Sequence, residues 1–283
     1  AQAIAGVIAI TVQYRRAIAP RLASLALHYA VALVLLATGA LLGFLITWSN
    51  AHGRSALADG FYLAHTTTML LGFVGTTVLG TLTVLWPTML RTPMEPLAPR
   101  WTTRGLPYLV GGTGLVAASG VWLPLAGLGV LVYLGGACGV LVPAYRTARR
   151  VPPTSFATAS ATASVSWFVG CVAVLGARMA LADDVGAARD VIHALRLPLA
   201  AGFALQILVA ALSYLTPVML GGGPAATRAT NAIMDRFAAY RVTAANACLL
   251  LALYPGAPWQ VRVVAGALAA LVTSYLLAGM ILS

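Results

Sequence analysis

Two apolar stretches decide the fold of this chain: residues 61–90 read FYLAHTTTMLLGFVGTTVLGTLTVLWPTML, and residues 191–220 read VIHALRLPLAAGFALQILVAALSYLTPVML. Both carry Gly-Phe near the middle and a Pro-x-Met-Leu ending, and the matching positions lie 130 residues apart. Each stretch exceeds the roughly 20 apolar residues that a helix needs to cross a bilayer. The pattern therefore predicts membrane-spanning helices that belong to an internal repeat of about 130 residues.

The composition extends this prediction to the whole chain of 283 residues, which is 60% hydrophobic and 8% charged. Soluble domains contain about 25% charged residues, so a water-soluble domain is excluded. The sequence predicts an all-α polytopic membrane protein with eight transmembrane helices, of which the seventh is short. The predicted spans are residues 25–48, 61–86, 105–123, 127–145, 156–181, 191–220, 242–256 and 260–282.

The spans group into repeats. A ninth apolar run, Ala1–Val12, is too short to span and is interpreted as a partial N-terminal helix. Residues 1–24 are accordingly the tail of a preceding repeat with a cytoplasmic linker, and residues 25–150 and 151–283 are four-helix repeats. Because four crossings return the chain to the same side of the membrane, the two repeats are predicted to be parallel.

The positive charge indicates orientation. The net charge of +11 comes from 17 arginines, since the chain contains no lysine. Twelve of them fall in one set of loops and five on the other side, which predicts that the first set is cytoplasmic. The chain is therefore expected to be a multi-pass plasma-membrane protein with both ends inside the cell. A nucleic-acid partner is excluded, because it would need a basic face on a soluble domain.

Two histidines are predicted near the outer ends of spans. His65 lies about one turn inside the second span, and His193 occupies a similar depth in the sixth, with Arg196 one turn below it. Ionisable groups inside a membrane are costly and are usually functional. An imidazole can ligate a haem iron or another metal, and a guanidinium can pair with a haem propionate. Snorkelling of His193 and Arg196 to the interface near Asp190 is the alternative.

The other histidines are expected to be less informative. His28 begins the first span on the cytoplasmic side, where a solvated helix end is expected and a quinone-headgroup contact is the alternative. His52 lies in an outer loop, which predicts surface exposure and leaves copper binding open. Gln206 is deep enough in the sixth span to need a hydrogen-bond partner in the bundle. The three cysteines have no CxxC spacing, so they are interpreted as small apolar residues.

Small and hydroxyl-bearing residues follow His65 at helical spacing. At 100° per residue they share one face of the helix, which predicts either a tight helix–helix seam or the approach of a flat ligand. The residues of this stripe are His65, Thr68, Gly72, Thr76, Gly80, Thr83 and Pro87.

The stretch that begins at His65 resembles a known family signature. Residues 65–92 are similar to the pattern H-x(5,6)-G-[FW]-V-G-x-T-V-x-G-T-L followed by W-P-T-x-L-R-T, and residues 205–224 are similar to a second recurring block. These blocks are found in actinobacterial membrane proteins whose multi-span module is joined to, or encoded with, a multicopper oxidase or a copper nitrite reductase. More distantly, the four-span units resemble those of subunit I of haem–copper oxidases.

The resemblance implies a respiratory electron-transport role. It implies haem b or copper as cofactor, with His65 and His193 as ligands and Arg196 as a propionate partner. The implied partners are quinol, the lipid bilayer and an extracytoplasmic copper (cupredoxin) domain or subunit, with a homo-oligomer left open. In this hypothesis the chain is the quinol-oxidising membrane part of an oxidoreductase. Two alternatives stay open: a membrane anchor or assembly subunit without cofactor, and a copper or small-molecule transporter.

Overall fold

The computed structural model describes Gly6, residues 20–219, Gly221 and residues 223–282, with the backbone alone described at 20–23 and 275–282. Within these residues the regular elements are all helices. The α-helices are α1 (Pro20–Ala51), α2 (Ser55–Thr67), α3 (Thr76–Met89), α4 (Ala98–Ala117), α5 (Leu125–Arg150), α6 (Phe156–Ala180), α7 (Val185–Leu197), α8 (Gln206–Met219), α9 (Gly223–Met234), α10 (Ala238–Leu253) and α11 (Trp259–Leu282). The predicted partial helix Ala1–Val12 lies, apart from Gly6, outside the described residues.

In the described part of the chain, five helices are long and apolar enough to cross a membrane, which agrees with an all-helical membrane protein. They coincide with the predicted first, second, fourth, fifth and sixth spans. The third, seventh and eighth predicted spans are also helical and correspond to α4, α10 and α11. The part of α11 whose side chains are described, Trp259–Ser274, is a shorter apolar helix. Eight crossings remain a prediction. The five helices are Ser24–Ala51, Ser55–Met89, Leu125–Arg150, Phe156–Ala180 and Val185–Met219.

Two of the long helices are interrupted by π-helical turns. The first π segment, Thr68–Gly75, joins α2 to α3, and the second, Pro198–Leu205, joins α7 to α8. Every boundary in the second broken helix lies 130 residues after its counterpart in the first. Since well under 1% of residues in proteins are π-helical, this agreement is a strong structural similarity between the two helices.

Neighbouring side chains satisfy carbonyl groups in both π segments. The hydroxyl of Tyr133 on α5 donates to the carbonyl oxygen of Leu71 at 3.0 Å. The hydroxyl of Ser164 on α6 donates to the carbonyl oxygen of Phe203 at 2.9 Å. Both carbonyls also accept from a backbone N–H, Leu71 from that of Thr76 and Phe203 from that of Gln206. Each hydroxyl therefore adds a second hydrogen bond, which ties a neighbouring helix to the π segment. In the second segment Pro198 also lacks a backbone N–H, which by itself interrupts the ladder.

The chain forms two compact units. The first comprises Ala1–Val151 and Val172–Ala194, and the second comprises Pro152–Cys171 and Leu195–Ser283. The boundary after Val151 falls next to the predicted division at 150/151. The segment Val172–Ala194, however, groups with the first unit. The division into two equal repeats therefore stays a prediction.

In the first unit, α4 and α5 pack backbone against backbone through a glycine seam made of Gly105, Gly112, Gly129 and Gly136. A methyl group on Gly112 would lie 2.5 Å from the backbone nitrogen of Tyr133, and one on Gly136 would lie 2.7 Å from the carbonyl oxygen of Gly105. Nothing larger than glycine fits at these distances. The close approach is the small-residue packing that membrane helices use in place of hydrophobic driving force.

In the second unit, a polar network crosses the apolar interior. The amides of Gln206 and Asn246 exchange hydrogen bonds at 2.9 and 3.1 Å, and Trp167 donates its indole N–H to Asn246 at 2.6 Å. Gln206 thus has the partner that its depth requires. Near the end of α9, the guanidinium of Arg241 lies 3.8 Å from the ring centroid of Phe156 and donates to the carbonyl oxygen of Met234 at 2.8 Å.

Candidate functional site

His65 lies near the end of α2, immediately before the first π segment, and packs on the glycines of α1. Its Nδ1 is 2.8 Å from the carbonyl oxygen of Gly39. Because a carbonyl can only accept, Nδ1 must carry the proton. The half-buried ring packs closely on α1, since a methyl group on Gly43 would lie 3.2 Å from both Nδ1 and Cε1. In the described part of the chain Nε2 has no hydrogen-bond partner, so its lone pair is free.

Met69, one turn after His65, packs on the same glycine. A methyl group on Gly39 would lie 2.5 Å from the sulfur of Met69 and 3.1 Å from its Cγ. His65 and Met69 therefore contact the same residue of α1, His65 through the carbonyl oxygen of that residue and Met69 through the space of its missing side chain. Met69 is not among the site residues predicted from the sequence. The signal that finds it is the spacing His-x-x-x-Met.

The stripe that follows His65 forms a helix–helix seam. A methyl group on Gly72 would meet Leu35 and Thr113 at 3.1 Å, and one on Gly80 would lie 2.6 Å from Cβ of His28. Thr83 hydrogen-bonds the hydroxyl of Thr102 at 3.1 Å. Of the two expected roles, close helix packing is confirmed along the α3 part of the stripe. The π segment also changes the angular spacing that a regular helix of 100° per residue would give.

His193 lies on α7 among residues of α2. Its ring centroid is 5.8 Å from that of Tyr62, and the guanidinium of Arg189 lies 4.6 Å from the Tyr62 centroid. Arg189 also forms an ion pair with Asp59. The first unit thus brings His193 and Tyr62 together. His65, by contrast, contacts α1, so the two predicted ligand histidines have different neighbours.

Arg196 is exposed and belongs to the second unit. The hypothesis that it pairs with a haem propionate therefore stays a prediction.

The structure corrects the interpretation of His28. It is not at a solvated helix end but fully buried, 0% exposed, because α1 begins at Pro20 and His28 packs against Gly80 of α3. Its Nδ1 donates to the carbonyl oxygen of Ser24 at 2.7 Å. Among the described residues, its buried Nε2 has no partner. The expectation of a solvated helix end or a surface role for His28 is therefore wrong, and a quinone-headgroup contact stays a prediction.

His52 is exposed, as predicted for the outer loop. Its Nδ1 donates to the carbonyl oxygen of Trp48 at 2.8 Å, and its ring lies 4.6 Å from that of Trp48, centroid to centroid. Exposure leaves the suggested copper binding at His52 as a prediction.

Conventional metal centres are not found in the described residues. No three His, Cys, Asp or Glu side chains there are grouped so that they could hold a metal ion. Cys138, Cys171 and Cys248 are free thiols in three different environments: exposed, buried and intermediate. Any metal site built from the described side chains must therefore use few ligands or a donor such as methionine.

Comparisons with known proteins do not assign this chain to a family. No protein family matches the chain, and neither does any curated protein or any solved structure. The similarity to copper-enzyme membrane modules thus remains a prediction from residues 65–92 and 205–224.

Proposed function

We propose that this protein is a membrane electron-transfer module that binds haem or another redox metal through His65. It would receive electrons from quinol and pass them outward to an extracytoplasmic copper oxidase or nitrite reductase. The observation that supports this most directly is the state of His65. Its Nδ1–H is held by the carbonyl of Gly39, which leaves Nε2 free to bind a metal.

The residues around His65 fit a metal ligand. Ligating histidines almost always donate their second ring N–H to a carbonyl, carboxylate or water, which fixes the tautomer and the ring orientation. Gly39 and Gly43 supply that carbonyl and the space for the ring. When bound, the metal or haem would supply one-electron redox chemistry. The protein's own contribution is to hold the imidazole proton on Nδ1 and to present Nε2.

The topology belongs to the same proposal. We infer that α4, α10 and α11 complete eight crossings, with the arginine-rich loops and both ends in the cytoplasm. The two broken helices with boundaries 130 residues apart support parallel repeats. In this orientation His65 lies toward the outer face, where electrons would leave for an extracytoplasmic copper domain.

The test is the visible spectrum and metal content of detergent-purified protein. We expect a metal or a Soret band in the wild type, and its loss in the variant His65→Ala. His52→Ala is the matched control, because His52 also donates Nδ1–H to a carbonyl but lies in an exposed loop. A wild type that is colourless and free of metal contradicts the proposal, as does a cofactor retained by His65→Ala.

A second candidate function, a membrane anchor or assembly subunit without cofactor, is favoured by the glycine seam. Its close backbone packing serves a rigid scaffold and requires no ligand. A metal-free protein that still assembles with a copper-enzyme partner would support the anchor.

A further inference from the structure

We propose that His65 and Met69 together form a copper(I) site, with Nε2 of His65 and Sδ of Met69 as donors. This inference rests on the proposed function, because it names the metal that the His65 imidazole would bind and adds a second ligand. It selects copper over haem at this position.

His65 and Met69 both contact Gly39 of α1. The carbonyl of Gly39 accepts the Nδ1–H of His65, while the sulfur of Met69 packs against the missing side chain of the same residue. A side chain larger than hydrogen at position 39 would displace the thioether. The glycine thus holds both donor-bearing side chains at one point of α1.

Met69 is less buried than a methionine of the core. It is half-buried, whereas Met179 is 0% exposed and surrounded by core residues. A methionine that serves packing alone is best placed as Met179 is. Met69 and His65 are instead both half-buried, and both contact Gly39.

The thioether of Met69 and the imidazole of His65 are donors that favour copper(I). Thioether sulfur selects copper(I) among the common biological metals, and imidazole nitrogen also suits copper. Zinc sites in proteins draw on three or four thiolate, imidazole and carboxylate ligands, and no group of three His, Cys, Asp or Glu side chains occurs in the described residues. A nitrogen–sulfur pair therefore matches copper(I) better than zinc, magnesium or calcium.

The experiment is an anaerobic copper(I) titration of detergent-purified protein, stripped with a chelator and measured in competition with bicinchoninate. We expect Met69→Leu, which keeps the apolar volume, to weaken copper(I) binding at least tenfold. Met179→Leu is the matched control and should bind copper(I) as the wild type does. X-ray absorption of the loaded wild type should show one sulfur neighbour that disappears in Met69→Leu.

A second variant, Gly39→Ala, keeps both donors but pushes the thioether away, and it should also weaken binding. Circular dichroism and size-exclusion elution confirm that each variant is folded. Equal copper(I) affinity in wild type and Met69→Leu, or the absence of a sulfur neighbour, overturns the inference.

The outcomes separate this inference from the proposed function. A His65-dependent Soret band without copper(I) affinity overturns the copper site and leaves the electron-transfer proposal standing. Copper(I) binding that requires both residues supports the site, even where quinol fails to reduce the loaded protein and the electron-transfer proposal falls.

Discussion

The two broken helices, Ser55–Met89 and Val185–Met219, share their breaks but not their side chains. The π segments occupy corresponding positions, whereas His65 corresponds to Leu195 and His193 to Leu63. The glycines at 72 and 202 are both kept, yet one meets aliphatic groups and the other an indole ring. The two helices therefore share the positions of their π segments without sharing the positions of their histidines. Similar depth of two histidines is thus not sufficient to make them equivalent ligands.

The largest expected difference in stability between the two helices comes from substituting the glycines at their corresponding positions, Gly72 and Gly202. A methyl group at position 202 would lie 2.5 Å from Cδ2 of Trp167, whose indole N–H is fixed by Asn246. We expect Gly202→Ala to destabilise the protein by about 1–3 kcal/mol, as overpacking does. At position 72 the nearest atoms, at 3.1 Å, belong to side-chain methyl groups. There the gain in helix propensity of about 1 kcal/mol offsets the contact, so Gly72→Ala should be near neutral.

The free energy of unfolding of both variants is measured by adding a denaturing detergent to protein held in mild detergent micelles. Equal destabilisation at positions 72 and 202 would show that the two environments are energetically the same.

A smaller effect is expected from the hydroxyl donors that serve the π segments. Tyr133→Phe removes one donor to Leu71 in a fully buried position, while the backbone N–H of Thr76 still donates to the same carbonyl, so we expect a loss of about 1 kcal/mol. Ser164→Ala removes one donor to Phe203 and should cost about 1 kcal/mol or less, because the backbone N–H of Gln206 still donates to that carbonyl. The same unfolding measurement applies. A loss above about 3 kcal/mol in either variant would show that the remaining backbone donor does not satisfy the carbonyl.

The smallest effect is expected where the two broken helices meet at corresponding positions, Asp59 and Arg189. Their side chains are 35% and 36% exposed, so the ion pair should contribute less than about 1 kcal/mol. Asp59→Arg should lower the unfolding midpoint slightly, and added salt should reduce the difference. The double exchange Asp59→Arg with Arg189→Asp should restore the midpoint. Failure of the double exchange to restore it would show that the local geometry does not tolerate reversal.

The positions of the long apolar helices could be predicted from the sequence, because span length and apolarity are local properties. The π segments could not, since a shift in hydrogen-bond register leaves little trace in hydropathy. His28 was misplaced because arginine-rich flanks suggest a solvated end, whereas its burial depends on Gly80, which lies in another helix. Met69 was missed for a similar reason, since its importance depends on contact with Gly39 of α1.

The glycine seam between α4 and α5 also bears on how related sequences should be compared. At Gly105, Gly112, Gly129 and Gly136 even a methyl group would collide with backbone atoms, so substitution there is opposed by packing alone. Invariance at these four positions would report the closeness of two helices and carry no information about ligands. A search for functional residues by invariance must therefore set these glycines aside and ask instead whether His65 and Met69 vary together.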